Sequence, residues 1–226
     1  MKLHRSSLLG KLQPVFLFLI ASLAFASINA TAQPLSETDQ ITERYAEIHV
    51  QWEDDQGREL PLEKLLGSAE SYRDINPDEA SAWIVLARVR VGYASTQGIV
   101  RGMRLLKKAR DELEQSIELD GQAENGYGQA LLGFLYRGTP PWPVGFYSKR
   151  KGNRFLEAAY ALNPASIETN YYYAQINAAE KLYQRALEFS EAARRSALNG
   201  SARPFHSAYY LGLIDELESN IKERLN

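Results

Sequence analysis

The stretch ALNPASIETNYYYAQINAAEKLYQRALEFSEAARRSALNG, residues 161–200, reads as one helix ending, a second running its length and a third packing behind it. Leu162, Asn163 and Pro164 form the stop: Asn tolerates the last helical turn and Pro ends the helix, while a Pro in the next helix's first turn lacks an N–H that would be unpaired there anyway. Asn170, Tyr173, Ala174 and Asn177 then fall at i, i+3, i+4 and i+7, one face of a helix. Ala186, Ser190 and Ala193 follow at offsets of four and three, small residues where two helices must approach closely. Leu198, Asn199 and Gly200 close the unit.

The same grammar recurs upstream. Ile75, Asn76, Pro77 and Asp78 make one stop, and Leu119, Asp120 and Gly121 make another. Trp83, Leu86, Ala87 and Arg90 repeat the first-helix spacing, and Leu132, Gly133 and Tyr136 repeat its middle. Ala109, Leu113 and Ser116, then Gly152, Leu156 and Ala159, repeat the small-residue face of the second helix. Two pairs are longer than the third, with the excess between their helices at Gly92 to Gly102 and Gly138 to Gly152. A partial pair precedes them, Glu37 to Trp52 with Leu62 to Asp74. A final helix, Pro204 to Leu225, carries a Tyr, Leu and Ile stripe opposite a charged face, the form of a cap.

On these residues the chain resembles the tetratricopeptide repeat (TPR), which places Trp, Leu, Gly and Tyr in its first helix and Ala, Phe and Ala in its second, with a period of about 34 residues. The resemblance implies an all-α fold: a right-handed solenoid of TPR-like antiparallel helix pairs with a C-terminal capping helix. It divides residues 33–226, one domain, into a partial pair at 36–76, repeats at about 77–121, 122–164 and 165–200, and the cap at 204–225. The segment Arg137-Gly-Thr-Pro-Pro-Trp-Pro-Val-Gly-Phe146, followed by Leu162-Asn-Pro164 and Asn170-Tyr-Tyr-Tyr173, is similar to small exported bacterial TPR-like proteins. More distantly the chain resembles the helical T component associated with TRAP-type solute uptake, which implies a carboxylate ligand.

The N-terminus reads as an export signal. Lys2, Arg5 and Lys11 precede an apolar run from Val15 to Phe25, and Ala30-Thr31-Ala32 offers a cleavage site that would make residues 1–32 a removed peptide and Gln33 the new start. Retention of the run as an anchor is the alternative. Cleavage leaves no integral membrane segment and places the chain in the periplasm. It takes three of the 26 Lys and Arg and none of the 28 Asp and Glu, leaving a net charge of −5. That balance speaks against nucleic acid as a partner. The chain has no cysteine, so neither disulfides nor lipid attachment through a thiol contribute, and a hydrophobic content of 45% is ordinary for a packed core.

Catalytic signatures are missing. His4 leaves with the signal, and His49 and His206 stand alone without an H-E-x-x-H pair, reading as surface or cap histidines rather than metal ligands. There is no nucleophile elbow, phosphate loop or dinucleotide fingerprint. Glu112, Glu114 and Glu118 lie beside Lys107, Lys108 and Arg110, where pairing within one helix would account for them. The expectation is a non-catalytic binding protein with no cofactor and no metal.

Two surfaces are candidates for binding. In TPR-like register the groove-facing residues are Ser81, Ile84, Arg88 and Val91, then Tyr127, Ala130, Phe134 and Arg137, then Glu168, Tyr171, Gln175 and Ala178. Arg88, Tyr127, Phe134, Arg137, Tyr171 and Gln175 would supply aromatic area and arginine forks, although a one-residue slip would turn several into core. The insertion edge offers Arg101, Arg104, Trp142, Phe146, Lys149 and Arg150. Residues 80–110 hold seven Lys or Arg and no acid, and residues 125–156 hold five and no acid. The Pro-rich insertion should be ordered, with Trp142 and Phe146 packed against Tyr171 to Tyr173 in preference to standing out as anchors. The expected partner is a protein or peptide, anionic if the basic edge receives it, with a small carboxylate in a solute-uptake accessory as the alternative.

Overall fold

The computed structural model describes residues 35–199 and 203–225. The export signal and its Ala30-Thr31-Ala32 site lie outside the described residues, as do Gly200 and Ser201. Among the described residues the chain is all helix, with no strand. The helices are α1 (Glu37–Gln51), α2 (Asp55–Ile75), α3 (Ala80–Ser95), α4 (Ile99–Asp120), α5 (Tyr127–Gly138), α6 (Lys149–Leu162), α7 (Ile167–Ala179), α8 (Tyr183–Leu198) and α9 (Pro204–Leu225), with one short 3₁₀ turn at Ala123–Gly126. None of them is long and apolar enough to cross a membrane.

Local chemistry sets several starts. Ser36, Asp54, Ser148 and Ser166 each accept from the backbone N–H three residues on, so a side-chain oxygen satisfies a donor that the first helical turn leaves unpaired. Asp54 explains why α2 begins at Asp55 rather than at Leu62, running through Pro61.

Successive helices pack side by side. α1, α3, α5, α7 and α9 each touch the next, and α9 returns to α1, closing a ring of five. α2, α4, α6 and α8 lie outside it, each wedged between two inner helices and none against another outer helix. The close approaches fall where the small residues are. A Cβ on Gly133 of α5 would stand 2.7 Å from Leu156 Cγ and 2.9 Å from the Gly152 carbonyl of α6, and Ala109, Ala159, Ala186 and Ala193 are wholly buried.

Four expectations need correction. The last helix does not merely cap an array: α9 packs on α1, and Glu43 of α1 accepts from the backbone N–H groups of Phe205 (3.1 Å) and His206 (2.9 Å) at its start. The excess length of the first long pair lies mainly within its helices and not between them, because α3 continues to Ser95 and only residues 96–98 turn before the 22-residue α4, whose span Ile99–Asp120 is the helix the sequence leads one to expect there. Gly92 and Gly102 mark contacts and Gly98 the break: a Cβ on Gly92 would meet Tyr45 Cε2 at 2.5 Å and one on Gly102 the Ala94 carbonyl at 2.8 Å, whereas Gly98 caps the start of α4. Glu112 is buried rather than paired along its own helix, with both oxygens accepting from Arg90 Nε at 2.9 Å across the α3–α4 contact. His49 and His206 are not surface groups. His49 Nδ1 donates to the Tyr45 carbonyl (2.8 Å) between the rings of Tyr45 and Tyr209, and His206 is buried against Glu168.

Candidate binding chamber

The inward faces of the five ring helices line a partly open chamber of about 210 Å³. Each contributes at helical spacing: Tyr45 from α1, Arg88 and Val91 from α3, Tyr127, Leu131 and Phe134 from α5, Tyr171, Tyr172 and Gln175 from α7, and Tyr209, Tyr210 and Leu213 from α9. Side chains three and four apart on a helix share a face. One face of each helix therefore suffices to line the space.

Arg88 is the chamber's charged group and is only 7% exposed. Its guanidinium lies over the Tyr127 ring, 3.9 Å from the centroid, and 3.6 Å from Glu168 Oε1. That separation is too long for a hydrogen bond, and Arg88 Nε is buried without a partner. Glu168 is held elsewhere: His206 Nε2 donates to its Oε1 at 2.9 Å and Ser166 Oγ to its Oε2 at 3.1 Å. Burial pushes the Glu168 carboxyl up, but the hydrogen bond and field of His206 and the Arg88 charge outweigh it and hold the group well below the usual carboxylate range. The glutamate is thus a fixed anion that neutralises Arg88 without saturating its hydrogen-bonding edge.

The remaining walls are phenolic and aliphatic. Phe134 stacks on Tyr172 at 4.5 Å, Tyr171 meets Tyr210 edge to face at 5.6 Å, and the hydroxyls of Tyr127 and Tyr172 are 3.4 Å apart. Burial is the main cause that pushes the hydroxyls of Tyr45, Tyr171, Tyr172 and Tyr210 up, and that of Tyr209 to about 12. They stay protonated donors in neutral water. A depression of about 460 Å³ abuts the chamber, sharing Phe134 and Gln175, and is lined by Arg137, Lys181 and Arg224 with no acidic side chain.

Five of the six expected groove residues, Arg88, Tyr127, Phe134, Tyr171 and Gln175, meet in the chamber. Arg137 does not: it turns outward to Asn153 Oδ1 (2.7 Å) and Glu180, and lines the neighbouring depression. Ile84 and Ala130 are core. Sequence reasoning missed Tyr45, Tyr209 and Tyr210 because it applied the groove register only to the three full repeats. The tyrosine pair in the last helix was the available signal, read there as a cap's apolar stripe.

The insertion edge is partly as expected. The Pro-rich segment is an ordered loop, 139–148, in which Tyr147 N donates to Pro140 O (3.0 Å), Gly145 N to Pro141 O (3.1 Å) and Ser148 N to Tyr136 O (2.8 Å). A Cβ on Gly145 would stand 2.3 Å from the Pro140 carbonyl, so the fold-back requires glycine there. Phe146 packs edge to face on Tyr136 at 5.4 Å with Arg110 over its ring, not against Tyr171 to Tyr173. Trp142 is not packed: it lies in a turn of the loop and is 85% exposed. Arg101 donates to Tyr93 Oη (3.0 Å) and Lys149 to Glu180 (2.7 Å), whereas Arg104 and Arg150 are exposed without an ionic partner among the described residues. Part of the basic run is internal, since Arg88 and Arg90 face Glu168 and Glu112.

Among the described residues no cluster of three or more His, Asp or Glu side chains could hold a metal ion. No protein-family model matches the chain, and no curated protein matches its sequence.

Proposed function

We propose that this chain is an exported, non-catalytic binding protein, built as a TPR-like helical repeat, whose chamber takes a small carboxylate. The observation that carries the reading is Arg88: the one charged side chain among the chamber's lining residues, its Nε buried and without a hydrogen-bond partner among the described residues. A planar carboxylate would accept from Nε and a neighbouring Nη together, the fork geometry that makes arginine the usual partner of such groups. Phenolic donors would supply further hydrogen bonds, and Val91, Leu131 and Leu213 an apolar seat. Size supports a single ring or short branched chain, since a dry cavity of about 150 Å³ accommodates benzene. The cationic depression next door would draw an anion towards the opening.

A protein or peptide groove, the other reading of the same register, is supported less well, because α9 and α1 close over the face that an extended peptide would need. The repeat assignment, its handedness and export to the periplasm rest on the sequence pattern.

Calorimetry with benzoate and phenylacetate against benzamide and phenylacetamide tests the proposal. The acids should bind and the amides should not. Arg88→Gln should abolish acid binding, and Leu213→Trp, which fills the chamber without touching the charge, should do the same in a folded protein. Equal binding of acids and amides, or none of either, would refute it.

A further inference from the structure

The edge formed by the turns between the first and second helices of the later pairs presents a second surface, with its own exposed side chains outside the chamber. Its turns are residues 96–98, 139–148 and 180–182, and two contacts join them. Glu180 accepts from both Arg137 and Lys149, tying the last two. Gln97 and Ile99 share an apolar depression of about 430 Å³ with Gly138 and Thr139, tying the first two.

The most exposed large apolar side chains of this edge are Trp142 at 85%, Ile99 at 84% and Val100 at 74%, and Val144, Tyr147 and Leu182 of its turns are exposed as well. No described residue buries them, although most large apolar groups among the described residues are packed. Cations stand at the same level, Arg101 and Arg104 on α4 and Lys149 and Arg150 on α6. The starts of α4, α6 and α8 all face this way, and none has an acidic residue in its first turn. Helix starts are positive ends of the backbone dipole, where acids are the stabilising choice. Here Arg101, Arg104 and Arg150 add to the charge of the helix ends, while Lys149 is paired with Glu180.

We propose that this edge docks on an anionic lipid bilayer, with Trp142, Ile99 and Val100 entering the interface and Arg101, Arg104, Lys149 and Arg150 meeting the headgroups. Charge complementarity favours an anionic bilayer: the exposed apolar side chains share the edge with exposed Arg104 and Arg150 and with three helix starts that carry no acid in their first turns. Interfacial proteins use that combination, in which apolar insertion and attraction to anionic headgroups reinforce each other. Tryptophan in particular settles at the headgroup level.

Vesicle flotation of the chain from Gln33 onward, which contains all the helices described here, provides the test. It should float with phosphatidylcholine vesicles containing phosphatidylglycerol and not with phosphatidylcholine alone, and added salt should release it. Trp142→Ser combined with Val100→Ser, and separately Arg104→Glu combined with Arg150→Glu, should each weaken binding by about tenfold or more. All four side chains are exposed, so the melting temperature should not move. With Trp52 and Trp83 replaced by Phe, Trp142 emission should shift to the blue on adding anionic vesicles. The proposal is overturned if the chain ignores anionic vesicles at low salt, if binding is unchanged in both edge variants, or if the edge variants lose an acidic protein partner while vesicle binding persists.

Discussion

Arg90 and Glu112 show what one buried charge pair asks of its neighbours. Arg90 has almost no exposure and is held by both Glu112 oxygens, with Glu70 reached at 2.9 Å by its far nitrogen. Removing Glu112 would leave the guanidinium buried beside a half-exposed carboxylate, and the unpaired charge costs far more than the pair contributes. Glu112→Ala should destabilise by about 3 kcal/mol, measured by urea unfolding, while Glu118→Ala on the exposed face of the same helix should be near neutral. His49 sets a pH dependence. Burial is the main cause that pulls its ring down from 6.5 to about 4; Arg58 pulls the same way, and the Tyr45 carbonyl and Asp55 pull against it. The unfolded chain binds the proton near pH 6.5 and the folded one only near 4, so the contribution is complete above 6.5 and is lost as the pH falls through 4. The difference in unfolding free energy between wild type and His49→Gln should therefore shrink over that interval, and a constant difference would mean that the ring is not desolvated.

At the level of helices, the α5–α6 contact depends on side chains that are absent. Gly133 and Gly152 let the two backbones approach, and Ala159 fills the space beside Gly126, whose φ of 83° turns the chain into α5. Ala159→Leu would push a larger group into a filled contact, and overpacking of this kind costs about 1 to 3 kcal/mol. The melting temperature should fall accordingly, and one that does not fall would place Ala159 outside the contact. Ala161→Leu, two residues on at an exposed position of α6, is the control and should leave stability unchanged.

Over the whole molecule the decisive feature is closure of α9 on α1. Two hydrogen bonds from the start of α9 to Glu43 fasten it, a charged cap supplied by a helix some 160 residues away. Glu43→Ala should cost about 1 to 2 kcal/mol. Its wider effect should be on the ring: α9 amides should exchange faster in deuterium labelling than those of α3 or α5, and benzoate affinity should drop because Tyr209, Tyr210 and Leu213 leave the chamber wall. Faster exchange with undiminished affinity would show that the chamber does not need the closed ring.

The sequence by itself determined the helices, their stops and the faces that meet, because each is written within a turn or two of chain: Asn163 and Pro164 end α6 locally, and Ala159 or Gly133 can be recognised by size and spacing alone. The TPR-like register also put Arg88, Tyr127, Phe134, Tyr171 and Gln175 on the inward face, which the resemblance implied and the 3.6-residue period alone would not have told from the outward one. Only the tertiary structure decided that the inward face is a chamber. Closure depends on contacts such as Glu43 with His206 and Tyr45 with Tyr209, between residues that no periodicity relates. It likewise decided that Glu112 and Arg90 are buried partners and that Trp142 stands out in solvent, because burial depends on which helix arrives opposite a residue, and short-range spacing cannot specify that.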